Sequence, residues 1–344
     1  MEGTRSREWL GGRVKPRARV LVASLVVSQI AFMVPWLVFG GLDSSPLSSA
    51  ALLAAMSIVM AAGMGSLRLA ALIAIPLAVA SGLGVLCSDI PVLAALLVGA
   101  ATFARGLLSR RGLQNALTLS VVSLVFLVAQ PPSMSGSTPP AVGAGLTVLA
   151  SAAWPLLLMW LARAHLPHLP RKPVDSQHAV WFAIVTSVLA AGATAVVSAA
   201  DLEHVGGWFV MTILLVMQPF ARDSFRRSLA RGAGTALGFV LAFAVGSLVD
   251  GTTYQSQTAA AVGGIAALIA VYLILTKKRY WIYATFLTLA VVMLEGAATS
   301  IVRTDVLRLL ATLAGVAVAV GITTLLVPLS RVLSRPRSDA PSRK

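Results

Sequence analysis

The stretch with the most chemistry to offer runs QPFARDSFRRSLARGAGTALG from Gln218 to Gly238. Arg222, Arg226, Arg227 and Arg231 crowd into it. Arg227 and Arg231 are four apart and share a face wherever the segment is helical. A guanidinium presents forked donors that match both oxygens of a carboxylate. Several together focus positive potential and raise the local concentration of anions. Gln218 and Thr235 add directional hydrogen-bonding groups, and Trp208 an aromatic surface. The same arginines also fit a plain positively charged anchor against lipid headgroups. Gly234 and Gly238 share a face on which another helix can approach closely.

Glu295 is the acid placed inside an apolar run, Phe286 to Ala298. A carboxylate in hydrocarbon is expensive and normally faces a cavity or a partner. Desolvation raises its pKa toward neutrality, giving a group able to load and release a proton. Arg308 on the following run can meet it, so the pair serves proton coupling or a structural tie. Gln29 and Thr118 lie within apolar runs and suit helix–helix hydrogen bonds. His165 and His168 flank Pro167 with no cysteine near, too few ligands for a metal. Cys87 is single, which excludes an internal disulfide and thiolate clusters. There is no Gly-x-Ser-x-Gly elbow, no His-Glu-x-x-His and no Walker lysine motif. No enzyme and no cofactor is expected.

The elements that must position these residues follow from composition. Hydrophobic residues make up 58% and charged ones 11% of the 344 residues, and mean hydropathy is +0.88. That is a membrane balance. Twelve apolar runs are predicted as spans: 18–39, 47–64, 67–87, 90–108, 113–130, 141–163, 179–200, 206–219, 232–249, 257–276, 280–298 and 305–328. At ~20 residues each they consume most of the chain and leave no room for a soluble catalytic domain. The expected fold class is all-α, a polytopic membrane protein without a soluble domain.

Charge fixes the expected topology. Arg68, Arg105, Arg110, Arg111, Arg163, Arg171, Lys172, the Arg222–Arg231 group, Lys277, Lys278 and Arg279 occupy alternate gaps. The basic tails join them. Asp43, Asp89, Asp201, Glu203, Asp250 and Asp305 occupy the others, and only Arg303 and Arg308 break the alternation. Basic residues stay on the cytoplasmic side during insertion, so a multi-pass protein of the cell (plasma or inner) membrane with both termini cytoplasmic is expected. This distribution accounts for the net charge of +15 without nucleic acid. Trp36 and Trp208 mark the outer side, and Trp160, Trp181 and Trp281 the inner one.

The chain divides into a basic tail (1–17), a six-helix half (18–163), a cytoplasmic linker (164–178), a second six-helix half (179–328) and a basic tail (329–344). Pro167, Pro170 and Pro173 keep the linker extended. Even span numbers give the halves one orientation, so a repeat between them would be parallel. The run from Gly207 to Pro219 is short. Either it is an interrupted span whose freed backbone lines a cavity, or its helix starts near Asp201 with a polar end in the headgroups.

Trp208 with Thr212, Gln218-Pro219, Arg226 and above all Arg231-x-x-Gly234-Thr235-x-x-Gly238 resemble the fusaric acid resistance-like, or aromatic acid exporter, family of integral membrane transporters. The resemblance is specific over about residues 207–240, and elsewhere only the order of spans matches. It implies export of aromatic or other organic acids, driven by the proton gradient. The group is also similar to the malate channels of plants. Many relatives carry a large cytoplasmic domain that has no counterpart here, and the first half lacks the Arg-x-x-Gly-Thr pattern. A passive anion channel and a non-transporting scaffold subunit are the rival expectations. Partners are membrane lipids and a small organic anion. The Gly234/Gly238 and Gly263/Gly264 faces serve internal packing or a homodimer equally well.

Overall fold

A computed structural model describes residues 46–132, 138–161, 171–249, 255–275, 279–296 and 301–333. The expected first span, both tails beyond these limits, residues 164–170 of the linker, Asp43 and Asp250 lie outside them, as do the side chains of Glu295 and Asp305. Among the described residues the chain is helical, with no strand. The helices are α1 (Pro46–Met64), α2 (Leu67–Cys87), α3 (Pro91–Leu107), α4 (Gln114–Ala129), α5 (Pro140–Leu161), α6 (Ser176–Ala199), α7 (Glu203–Val216), α8 (Ala221–Val249), α9 (Gln255–Leu275), α10 (Tyr280–Gly296) and α11 (Ile301–Leu333).

Local chemistry sets the boundaries. The Ser66 hydroxyl accepts from the Leu69 amide and starts α2. Pro91 opens α3, where a missing N–H costs nothing. Asp175 accepts from the amides of Gln177 and His178 to start α6. Gly112, at φ 69°, turns the chain from a short 3-10 segment (Leu108–Arg111) into α4. Its missing side chain leaves space that Lys172 fills, since a Cβ there would lie 2.7 Å from the Lys172 nitrogen.

Among the described residues six helices are long and apolar enough to cross a membrane: Leu67–Cys87, Pro91–Arg111, Pro140–Leu161, Ser176–Ala199, Arg222–Leu248 and Val306–Leu325. Their outward faces are apolar. On α2, Leu72, Ile75, Val79, Leu83 and Leu86 are exposed at helical spacing. Water would not tolerate such a continuous surface, whereas lipid is its natural solvent. The protein is a multi-pass membrane protein.

The centre is built differently. Thirteen of the sixteen residues of α4 are buried, on every side of the helix. Helix α7 also enters the main core, with Val210, Ile213, Leu214 and Val216, and Met217 just past its end, alongside Phe126 of α4. At 1.5 Å per residue the fourteen residues of α7 reach only ~21 Å, short of the ~30 Å hydrocarbon layer. Over the 207–219 run, α7 begins at Glu203, close to Asp201, and the helix breaks at Met217-Gln218-Pro219. The next span departs from the 232–249 expectation, since α8 begins eleven residues earlier and makes the basic turn its first helical turns.

Helix pairing follows one scheme in both parts of the chain. Helix α2 packs on α5, α4, α1 and α3, and α8 packs on α11, α10, α7 and α9. Helix α1 packs on α5, as α7 packs on α11. The pairing of α1 with α4 has no such counterpart. Helix α1 is zipped to α4, with Ser57 Oγ donating to the Ala116 carbonyl at 2.9 Å and Ser123 Oγ to the Ala50 carbonyl at 2.8 Å. Ser57 also meets Ser120. Helices α7 and α10 form no such contact among the described residues.

Candidate functional site

Burial selects among the predicted arginines. Arg222 and Arg226 are exposed at the start of α8, and Arg227 is half-buried. Arg231, one turn further on, is only 3% exposed. Its Nε and Nη1 have no hydrogen-bond partner, and the same is true of Nε of Arg227. Among the described residues no acid pairs with either. Arg227 stacks over the Tyr280 ring at 4.8 Å, and Tyr280 in turn meets Tyr283 at 5.7 Å. Arg231 lies three and seven residues before Gly234 and Gly238 and so shares their face of α8, the face that meets Trp281 and Thr285 of α10. Burying guanidinium N–H groups without acceptors costs free energy, a cost that an anion placed against them would offset.

The glycines explain how the arginines come to face α10. A Cβ on Gly234 would lie 2.5 Å from the Trp281 carbonyl oxygen, and one on Gly238 2.5 Å from that of Thr285. Backbone meets backbone there, which only glycine permits. The described structure thus uses Gly234 and Gly238 within the chain. Thr235 is buried beside them, 3.5 Å from the Thr288 hydroxyl.

Gln218 sits in the break itself. Its amide donates to Ser224 Oγ at 2.8 Å, and that hydroxyl donates back to the Gln218 carbonyl at 2.9 Å. Ser224 is buried, so this brace ties the end of α7 to the first turn of α8. Trp208 lies on α7, edge-on to Phe126 at 5.3 Å, with the Arg308 guanidinium 5.2 Å over its ring. Arg308 thus reaches α7 from α11. Glu295 falls in the last turn of α10.

Sequence reasoning missed Arg105. Counted there among the charges that fix topology, it is fully buried at the end of α3. Its Nε donates to Thr118 Oγ1 at 2.9 Å, and its Nη2 to the carbonyls of Leu214 at 3.0 Å and Met217 at 3.3 Å. These are the end carbonyls of α7, which carry the negative end of its dipole. Phe182 covers the guanidinium at 5.5 Å. Arg171 makes the matching contact at the end of α1, where its Nε donates to the Met64 carbonyl. The available signal was that Arg105 falls inside a predicted span, 90–108, where a charge is a functional candidate by default.

Residues 157–322 match the family model of fusaric acid resistance protein-like domains. The match is to just under half of the chain, and this region is similar to that family. It contains α7, the break and the buried arginines of α8. Comparison with curated proteins and with solved structures finds no match. Among the described residues no three His, Cys, Asp or Glu side chains gather as metal ligands.

Proposed function

We propose that this membrane protein exports organic carboxylic acids, aromatic ones foremost, through the second half of the chain. The observation that carries the reading is Arg231, a buried cation with two unmet donors and, among the described residues, no acid paired with it. A carboxylate supplies the missing charge and accepts from both sides of a guanidinium fork. Tyr280, under Arg227, provides an aromatic face for a ring at the arginines, and Trp208 with Phe126 provides another further along α7. The unzipped α7–α10 neighbourhood supports a path there, because the corresponding α1–α4 pair is closed by hydroxyl bonds.

Twelve spans in two parallel halves, with termini and the arginine end cytoplasmic, complete the proposal. The shared helix-pairing scheme supports the repeat. Exposed Arg110, Arg111, Arg222 and Arg226 lie with the buried group at one end, where Arg110 Nη2 donates to Ser176 Oγ at 2.8 Å. They would gather anions from the cell interior. Glu295 is assigned proton coupling, with Arg308 as its neighbour on the next helix, from their place on facing ends of α10 and α11.

The test is flux in proteoliposomes across aromatic and aliphatic carboxylates, with and without a pH gradient. Accumulation above electrochemical equilibrium that disappears in Glu295→Gln supports proton-driven export. Flux that never exceeds equilibrium identifies an anion channel, and no flux with any carboxylate identifies a scaffold.

A further inference from the structure

Arg105 belongs to the first half, yet it closes the break of the second. We propose that Arg105 is a positioning residue for the anion site, holding the end of α7 more tightly when an anion occupies Arg227 and Arg231, so that occupancy in one half is felt by the helices of the other. The inference rests on reading Arg227 and Arg231 as that site.

The grip has a rigid base. Beside Arg105, Gly106 lets α3 lie directly on α6, where a Cβ would be 2.4 Å from Cα of Ala183. Ser187 Oγ donates to the Gly99 carbonyl at 2.7 Å along the same seam. The backbone that carries Arg105 therefore has little freedom, and Thr118 fixes its Nε. What remains adjustable is the hold of Nη2 on Leu214 and Met217.

The far side of the grip leads to the anion site. Met217 is extended, and the Ser224 brace joins the break to α8. Arg227 and Arg231 follow within two turns. Arg105 and Arg227 thus reach the same break from α3 and from α8, and among the described residues neither forms an ion pair with an acid. Nη1 of Arg105 has no partner. An empty site leaves these like charges opposed. A bound anion offsets the repulsion and tightens the hold that Arg105 already has on the α7 carbonyls. Linkage then requires the converse, that weakening the grip weakens the anion.

A double-mutant cycle tests this on the full chain in lipid nanodiscs, with benzoate affinity read by calorimetry. Arg105→Lys keeps the charge and loses the fork. It is expected to weaken benzoate at least about five-fold when Arg227 is present, and less than about two-fold in the Arg227→Gln background. Thr118→Val, which frees Nε without altering any charge, should show the same dependence on Arg227 and serves if Arg105→Lys does not fold. Equal losses in both backgrounds, or no loss at all, overturn the coupling. If the wild-type protein binds benzoate and Arg231→Gln does not, while the cycle is additive, only the coupling fails. If the wild-type protein does not bind benzoate, the anion site and the coupling fail together.

Discussion

Arg105 and Leu214 are 109 residues apart and joined at 3.0 Å, a guanidinium N–H donating to a carbonyl. The bond crosses from α3 to the end of α7. It does so in a place where neither group has water to turn to. A helix that stops inside a membrane leaves end carbonyls that must find donors. Here the donor is a charge, and the charge in turn is held by the dipole it satisfies. Removing the Thr118 hydroxyl by Thr118→Val strands the Arg105 Nε and should cost about 1–3 kcal/mol, read as a lower midpoint in detergent unfolding.

Arg231→Met should act in opposite directions on stability and transport. The arginine is buried with two unmet donors. Replacing such a charge with an apolar side chain of similar volume is expected to stabilise the anion-free protein by about 1–4 kcal/mol. Benzoate should then no longer raise the melting temperature, whereas it should raise that of the wild-type protein.

Much of this was legible in the sequence, and the misses have physical causes. Helix positions α1 to α7 follow directly from apolar run lengths, because a span in lipid must hydrogen-bond within itself. The start of α8 escaped hydropathy, since charged turns that continue a helix look like a loop on that scale. Arg231-x-x-Gly-Thr was visible as a motif, but periodicity alone could not say which arginine is buried. That depends on Gly234 and Gly238 drawing α8 onto α10. Arg105 was hidden by the topology rule that counts every cation as a marker of one side.

Gly234→Ala and Gly232→Ala should separate cleanly. A methyl at 234 would press on the Trp281 carbonyl and Ala284, whereas at 232 it would meet only Val316 at 3.6 Å. The first should destabilise by about 1–3 kcal/mol through forced backbone movement. The second should be neutral or stabilising by about 0.5–1 kcal/mol from lower unfolded-state entropy. Midpoints of unfolding in mixed micelles decide.

Asp175 gives the start of α6 an acid sensitivity. Hydrogen bonds from the His178 amide and ring, then from the Gln177 and Ser176 amides, hold its carboxyl below the usual carboxylate range. A lowered folded-state pKa contributes stability that is present above the unfolded value of 3.8 and lost as pH falls through the lower folded one. Amide exchange at residues 176–179 should accelerate below that value in the wild-type protein and be independent of pH in Asp175→Asn after correction for intrinsic rates.

The most direct trial of the account is benzoate efflux from proteoliposomes containing the full chain or its Arg231→Gln variant. Saturable efflux by the wild-type protein, reduced at least about ten-fold in the variant while its helix content is unchanged, is the predicted result; a ten-fold loss corresponds to about 1.4 kcal/mol, well within what a charged donor supplies. Equal efflux by the two proteins would contradict the assignment of Arg231 to the anion path.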